Sequence, residues 1–235
     1  MLLYYISDRR QFPGGGAEQS RRLLARIAEA ARAGVDLVQL REKDLPTRQL
    51  EHIARHAVRA VRENSSTTRL LINSRVDLAL ACGADGVHLT SADISAADAR
   101  ATAEAVRARR AAVHRSDDRD AAHRAFVVGV STHSIAEANL AYSHGADLVV
   151  FGPVFEKISA PVRTAGVDEL RRLCAGLALK QQTTDKNRAF EVFALGGVTM
   201  DNARECAAAG AAGIAGIRLF QENSVAEVVK RLRDL

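Results

Sequence analysis

Eight short apolar runs alternate along the chain with longer stretches in which apolar residues recur every three or four positions. The runs have the length and the flanking Gly or polar residues of buried strands, and the longer stretches are typical of helices with one buried face. The predicted strands cover residues 2–6, 37–40, 69–73, 86–89, 126–130, 148–152, 190–195 and 213–217. The predicted helices cover residues 17–33, 47–63, 75–82, 134–143, about 167–174, 199 or 201 to 209, and 225–232. The Ala- and Arg-rich residues 95–125 predict solvated helix faces, and the polar residues 178–188 predict a loop.

A short motif recurs where a predicted helix ends and the next strand begins. Its copies are Ala33-Gly34-Val35-Asp36, Cys82-Gly83-Ala84-Asp85, His144-Gly145-Ala146-Asp147 and Ala209-Gly210-Ala211-Ala212. Gly supplies the left-handed cap that a short turn from helix to strand requires. Eight such βα units in one chain predict a single (β/α)₈ TIM-barrel domain over residues 1–235. A doubly wound open sheet is the alternative, but no GxGxxG motif follows the first strand.

Composition narrows the class of ligand and the cellular setting. Hydrophobic residues make up 47% of the chain, which is enough for a sizeable core, and the net charge of +5 favours anionic ligands without arguing for nucleic acid. Cys82, Cys174 and Cys206 are far apart and lack metal or disulfide spacing, so we expect buried thiols in a reduced, cytoplasmic protein. No signal peptide and no apolar stretch of membrane-spanning length is predicted.

The second predicted strand runs into a cluster of charge. Alternation of side chains along a strand puts Gln39, Arg41 and Lys43 on one face, and the carboxyl ends of barrel strands are where active sites are built. An amide, a guanidinium and an ammonium together need an anionic partner if they are not solvated. The alternative is that Arg41 and Lys43 leave the strand for solvent and pair with Glu42 and Asp44.

Polar residues also follow the other predicted strands. The candidates are Asn73 and Ser74 after strand three, His88 on strand four and Asp93 beyond it, Ser131 and His133 after strand five, and Ser159 after strand six. Acidic residues are scarce among them, so a paired-carboxylate mechanism is not expected. His133 is the best candidate for a general acid or base because imidazole exchanges protons near neutral pH. The alternative for His133 is a solvent-facing residue at a helix start.

A phosphate site is predicted after strands seven and eight. The Gly196-Gly197 turn precedes a helix whose first amides are free, and Gly allows close approach of a phosphate. Arg218, at the end of strand eight, is placed to grip the same phosphate. A tight turn without a ligand and a surface Arg are the alternatives.

Nine segments in order along the chain resemble the thiamine phosphate synthase and thiazole tautomerase family. They are YYISD (4–8), VQLREK (38–43), LINSRVDLA (71–79), GADGVHL (83–89), GVSTHS (129–134), GAD (145–147), FGPVFE (151–156), ALGGV (194–198) and AGAAGIA (209–215). The resemblance implies a synthase that joins hydroxymethylpyrimidine diphosphate to thiazole phosphate and releases diphosphate, with Mg²⁺. It implies that Gln39, Arg41, Lys43, Asn73 and Ser131 hold the pyrimidine diphosphate, that Asp93 binds the metal, and that Gly197 holds the thiazole phosphate.

The chain departs from the family pattern at four places of the site. Ser74 stands where a second metal carboxylate is usual, the phosphate-binding Lys after Phe155 has no aligned counterpart although Lys157 lies nearby, and Arg218 replaces a small Ser. A fourth departure is Thr90-Ser91-Ala92-Asp93, where the family often has Gly-Gln-Glu-Asp. A thiazole tautomerase-like isomerase, with His133 moving the proton, and a non-catalytic phosphate-ligand-binding barrel are therefore the alternative functions. A homodimer is expected to be possible in each case.

Overall fold

The computed structural model describes residues 1–113, 125–156, 164–184 and 189–235. Eight parallel strands close into a barrel in chain order, with the last strand pairing with the first. The strands are β1 Leu2–Ile6, β2 Leu37–Leu40, β3 Arg69–Asn73, β4 Gly86–Leu89, β5 Val127–Thr132, β6 Leu148–Phe151, β7 Glu191–Ala194 and β8 Gly213–Gly216. The predicted (β/α)₈ fold class is confirmed, because each predicted apolar run forms one strand of the barrel.

Helices surround the barrel. They are α1 Gly16–Arg32, α2 Thr47–Asn64, α3 Val76–Cys82, α4 Ala96–Val113, α5 Ile135–Ser143, α6 Gly166–Thr184, α7 Ala203–Ala208, α8 Arg218–Gln221 and α9 Val225–Arg233, and a 3₁₀ turn covers Arg9–Gln11. No helix in the described ranges combines the length and the apolar character needed to cross a membrane.

Two predicted boundaries are wrong. The polar segment that starts at residue 178 continues α6 as far as Thr184, where the Thr183 hydroxyl donates to the Leu179 carbonyl and the Gln181 side chain donates to the Phe190 carbonyl. Residues 185–188 lie outside the described ranges. Strand β8 ends at Gly216, so Arg218 is the first residue of the short helix α8 and not the end of a strand.

The core has two parts. One lies between the strands and the surrounding helices, and the other fills the barrel interior around Tyr4, Leu71 and Phe193. Two glycines make room inside the barrel, because a Cβ at Gly129 would lie 2.8 Å from Nδ1 of His88 and a Cβ at Gly213 would lie 2.4 Å from the Phe193 ring. The inner side chains therefore depend on these two positions being Gly.

The recurring turn motif joins neighbouring strands at the amino-terminal end of the barrel. In three copies the Asp carboxylate accepts the N–H of a residue in the preceding strand, and the Asp N–H donates to the carbonyl of that same residue; we call this double contact a strand bridge. The bridges join Asp36 to Leu3, Asp85 to Leu70 and Asp147 to Val128, with carboxylate–amide distances of 2.8, 2.9 and 2.7 Å. In the fourth copy Ala212 keeps the N–H bond to the Val192 carbonyl, at 2.9 Å, but has no carboxylate to complete the bridge.

The three cysteines are buried free thiols, as the sequence predicts. Burial raises the pKa of Cys174 to about 11 and that of Cys206 to about 12, so both are protonated and unreactive near neutral pH.

Candidate active site

The carboxyl ends of β2 to β5 bring several predicted site residues to one end of the barrel. Gln39 points into the interior and is 1% exposed, whereas Asn73 and Ser131 are half-buried at the ends of β3 and β5. Strand register places Asn73 beside His88 on β4 and His88 beside Gly129 on β5. Interior side chains of adjacent strands thus form one continuous polar surface at the barrel mouth.

Arg9 contacts the two acidic residues of the charged segment after β2, residues 41–44. Its guanidinium binds the Glu42 carboxylate at 3.3 Å and the Asp44 carboxylate at 2.6 and 2.9 Å. Ser7 donates to Glu42 at 2.6 Å and accepts the backbone N–H of Arg41 at 2.9 Å. Glu42 and Asp44 therefore pair with Arg9. The alternative prediction, that they pair with Arg41 and Lys43 in solvent, is wrong.

Arg41 is half-buried and Lys43 is exposed, and neither forms a salt bridge with any residue in the described ranges. Burial raises the pKa of Glu42, while hydrogen bonds from Ser7 and Arg9 act in the opposite direction. Because the Glu42 carboxylate binds Arg9, it does not neutralise Arg41 and Lys43, and these two cations remain available for an anion.

A row of hydrogen bonds crosses the barrel interior behind these charges. The Gln39 amide donates to the Tyr4 hydroxyl at 3.2 Å, the Tyr4 hydroxyl lies 3.1 Å from Nδ1 of His88, and Nε2 of His88 lies 2.9 Å from the Ser131 hydroxyl. Burial, followed by the charge of Arg41, lowers the pKa of His88 to about 3, and burial raises the pKa of Tyr4. Both rings are therefore neutral near pH 7, so His88 acts as a hydrogen-bonding group and not as a cation.

Ser74 and Asp93 contact each other directly. Ser74 has a left-handed backbone, with φ of 59°, and its hydroxyl donates to Oδ2 of Asp93 at 2.7 Å. The same oxygen accepts the Thr90 N–H at 2.6 Å and the Thr90 hydroxyl at 2.8 Å. The Asn73 amide nitrogen in turn donates to the Ser74 hydroxyl at 2.9 Å. Three donors therefore fix one oxygen of Asp93, and Ser74 occupies the position of the expected second carboxylate.

These residues fit a magnesium ion that is bound mainly by its substrate. Within the described ranges, Oδ1 of Asp93 and the amide oxygen of Asn73 accept no hydrogen bond, and no group of three His, Cys, Asp or Glu side chains comes together. Mg²⁺ commonly takes one or two carboxylates and fills its remaining positions with substrate phosphates and water. The donor set therefore fits Mg²⁺ only together with phosphate oxygens.

The Gly196-Gly197 turn is shaped by the loop after β6. Gly196 and Gly197 have φ of +95° and +65°, and added Cβ atoms would lie 2.5 Å from Cβ of Pro153 and 2.7 Å from Cβ of Phe155. Gly is thus needed at both positions because the loops after β6 and β7 contact each other there. Helix α7 starts only at Ala203, which corrects the prediction that the turn leads directly into free helix amides.

Only some of the backbone polar groups of this turn form hydrogen bonds with side chains. Asn202 accepts the Thr199 N–H at 2.8 Å and donates to the Gly197 carbonyl at 3.0 Å. In contrast, the N–H groups of Gly197 and Val198 have no acceptor within the described ranges. Consecutive free N–H groups of this kind form a concave anion site, so the glycine turn itself, and not the helix, is the candidate phosphate site.

The remaining predicted residues are less constrained. Arg218 is exposed at the start of α8, and the Gln221 side chain of that helix holds the Asp8 backbone, at 2.9 and 3.0 Å, so the loops after β8 and β1 are joined. His133 is exposed, and its Nδ1 donates to the Gly152 carbonyl at 2.6 Å, which leaves Nε2 as an acceptor. Ser159 and Lys157 lie outside the described residues.

Tyr4, His88 and Arg9 are parts of the site to which the sequence pattern assigns no role. The period-2 alternation of β1 and β4 places Tyr4 and His88 inside the barrel, which is the one signal that points to them. Nothing in the sequence pairs Arg9 with acids more than 30 residues away.

Comparison with known proteins identifies the family. A family model described as thiamine monophosphate synthase matches residues 3–108 and 102–220. A putative thiamine-phosphate synthase of Geobacter sulfurreducens is 40% identical over 215 residues, which cover 91% of this chain and 83% of that protein. A thiamine-phosphate synthase of Methanoregula boonei is 35% identical over 235 residues, covering 99% and 90%.

Solved structures agree with these relatives. A thiamine phosphate pyrophosphorylase from Pyrococcus furiosus superimposes with a TM-score of 0.72 at 28% identity, covering 99% of this chain and 94% of that one. The resemblance predicted from the ordered sequence segments is therefore confirmed. The chain belongs to the thiamine monophosphate synthase family, a family of transferases in thiamine biosynthesis.

Proposed function

We propose that this protein joins hydroxymethylpyrimidine diphosphate to thiazole phosphate, forming thiamine phosphate and diphosphate. The observation that carries the proposal is that Arg41 and Lys43 stand at the barrel mouth without an acidic partner in the described ranges, because Arg9 holds Glu42 and Asp44. Two free cations beside neutral hydrogen-bonding groups suit a diphosphate better than any cationic or apolar ligand.

The chemistry needs stabilised negative charge and little base. The bond between the pyrimidine methylene carbon and the diphosphate oxygen breaks with both electrons leaving on oxygen, and the thiazole nitrogen supplies the electron pair of the new carbon–nitrogen bond. That nitrogen carries no proton to remove. In this proposal Arg41, Lys43 and Ser131 stabilise the departing oxygen, while Gln39 and Asn73 orient the pyrimidine diphosphate.

Asp93 and the Asn73 amide oxygen would hold Mg²⁺ together with the diphosphate, and the ion would supply further positive charge to the leaving group. The Gly196-Gly197 turn, with Arg218 as a further cation, is the proposed site of the thiazole phosphate, because the Gly197 and Val198 N–H groups have no acceptor in the part of the chain that the structure describes. Ser159, which lies outside the described residues, is proposed as a further substrate contact. A cytoplasmic location and a homodimer belong to the proposal as well.

The test is formation of thiamine phosphate from both substrates and Mg²⁺ by the purified protein. We expect turnover, and we expect Arg41→Gln to lower kcat/KM by roughly 10- to 100-fold because it removes a charge-assisted contact. Arg59→Gln is the matched control, since it removes one exposed charge from the outer surface of α2. Absence of product at high protein concentration would contradict the proposal.

One observation favours a second candidate, the tautomerase-like isomerase. Nε2 of His133 is an unprotonated acceptor when the ring is neutral, because Nδ1 donates to the Gly152 carbonyl. Isomerisation of a thiazole carboxylate phosphate without pyrimidine substrate or metal, lost in His133→Ala, would support this function. A protein that binds thiazole phosphate and converts neither substrate would instead be the non-catalytic barrel.

A further inference from the structure

The row Gln39–Tyr4–His88–Ser131 is buried for most of its length. Tyr4 is fully buried, and His88 and Gln39 are each 1% exposed, whereas Ser131 is half-buried at the barrel mouth. The row therefore connects the closed interior of the barrel to the end where the candidate site residues lie.

Counting protons gives the direction of each hydrogen bond. A neutral imidazole has one N–H and one acceptor nitrogen, and a phenol has one proton. The Gln39 amide presents its nitrogen to Tyr4, and that nitrogen can only donate. With the amide in this orientation, a proton on Nδ1 of His88 would make the Tyr4 oxygen accept from both His88 and Gln39 and leave the Tyr4 proton without an acceptor within the described ranges. A buried donor left without an acceptor destabilises the folded protein, because it loses its hydrogen bond to water and gains none in return.

The opposite arrangement gives each of the three hydrogen bonds of the row one donor and one acceptor. The Gln39 amide donates to Tyr4, Tyr4 donates to Nδ1 of His88, and Nε2–H of His88 donates to the Ser131 oxygen. The Ser131 proton is then the one that no group in the row uses, and it is free to donate to a ligand.

We propose that Tyr4 is a positioning residue: by fixing the proton of His88 on Nε2, its hydroxyl keeps the Ser131 hydroxyl turned outward as a donor to the diphosphate. The ligand in this inference rests on the proposed function. The low pKa of His88 and the raised pKa of Tyr4 are consistent with it, because both keep the row neutral and its direction fixed. With the proton on Nδ1, Ser131 would donate to His88 and present only lone pairs to an anion.

Tyr4→Phe removes the hydroxyl and keeps the ring, which packs edge-on against His88 and Phe193. Tyr5→Phe is the matched control, because Tyr5 is equally buried and its hydroxyl has no hydrogen-bond partner among the residues that the structure describes. Tyr5 points out of the barrel toward Phe220, so its hydroxyl cannot reach the row. Thermal melting of both variants checks that each one folds.

The direct readout is the tautomer of His88, measured by ¹⁵N nuclear magnetic resonance of the imidazole nitrogens. His88→Gln identifies its signals among the seven histidines of the chain. We expect the proton on Nε2 in the unchanged protein and in Tyr5→Phe, and a mixture of tautomers in Tyr4→Phe. A proton on Nδ1 in the unchanged protein overturns the proposal, and this measurement requires no turnover.

Kinetics supply the second readout. Tyr4→Phe is expected to lower kcat about tenfold with a smaller change in KM, because charge on the leaving oxygen develops in the transition state. In a Ser131→Ala background the same substitution is expected to change kcat by less than about twofold, since the group it acts through is absent. An equal loss in both backgrounds, or equal rates in Tyr4→Phe and Tyr5→Phe, overturns the proposal. If the unchanged protein forms no thiamine phosphate, the proposed function fails, and affinity for inorganic diphosphate replaces kcat in this comparison.

Discussion

Ser74→Asp is the substitution that tests the electrostatics of the candidate metal site. The Ser74 hydroxyl now donates to Oδ2 of Asp93 at 2.7 Å, so an Asp at this position exchanges a hydrogen-bond donor for a second negative charge. The backbone tolerates the change, because φ of 59° at Ser74 lies in the left-handed region that Asp and Asn adopt more readily than most residues. The expected effect is therefore one of charge and not of strain.

The size of the effect follows from the separation of the two charges. Two unit charges about 4 Å apart interact by about 4 kcal/mol at an effective dielectric constant of 20. Asp93 is half-buried, so solvent screens the repulsion, and on the order of 1–2 kcal/mol remains. In a chain of this size that corresponds to a fall in Tm of roughly 2–8 °C.

The assay is thermal unfolding of Ser74→Asp and Ser74→Asn with and without Mg²⁺. Asn is the matched control, because it has the shape and backbone preference of Asp without the charge. We expect Ser74→Asp to be less stable than Ser74→Asn in the absence of metal and to recover with Mg²⁺ alone. The original protein and Ser74→Asn are expected to respond to Mg²⁺ only when inorganic diphosphate is present. Equal melting temperatures of the two variants, unchanged by Mg²⁺, would show that position 74 does not share a site with Asp93.

Three further substitutions test other parts of the structure. Arg41→Gln is expected to weaken binding of inorganic diphosphate by roughly 10- to 100-fold in calorimetry, with Arg59→Gln unchanged; equal affinities would refute the role of Arg41. Burial raises the pKa of Glu42, so its contribution to stability is full below its unfolded pKa and is lost as pH rises through the folded value. Glu42→Gln should abolish that decline in melting curves between pH 4 and 8 (roughly the window set by the ordinary Glu pKa), and an unchanged profile would count against it. Gly197→Ala places a Cβ 2.7 Å from Cβ of Phe155 at φ +65°, so denaturant unfolding should show a loss on the order of 2–3 kcal/mol, and a loss below about 0.5 kcal/mol would be incompatible with this packing.

The sequence predicts the barrel well because its information is local. Apolar runs of strand length identify all eight strands, and Gly turns precede four of them. Alternation along the strand also puts Gln39 on the interior face of β2. The errors also have local causes. The end of α6 is polar because it faces solvent, not because it is a loop, and nothing in the sequence marks the break between β8 and α8.

The parts of the site that the sequence does not predict depend on distant contacts. The charged segment after β2 leaves open whether Arg41 pairs with its neighbours, and the answer comes from Arg9, which is more than 30 residues away. In the same way, His88 is recognisable as a polar residue of a strand, but its neutrality requires burial beside Tyr4 and the nearby charge of Arg41. The pairing of Arg9 with the two acids and the neutrality of His88 both arise only when the barrel closes.

The strand bridges stabilise some pairs of neighbouring strands and not others. Three pairs of neighbouring strands, β1–β2, β3–β4 and β5–β6, are joined by an Asp carboxylate, whereas β7 and β8 have Ala212 at the corresponding place and share two paired positions. This pair is thus a seam where local opening should cost least, and its amides are expected to exchange with solvent before those of β1–β6. The loops that emerge from the seam are the glycine turn and α8. We therefore expect hydrogen exchange to show the strands that carry the proposed thiazole phosphate site opening before the strands that carry Arg41 and Lys43.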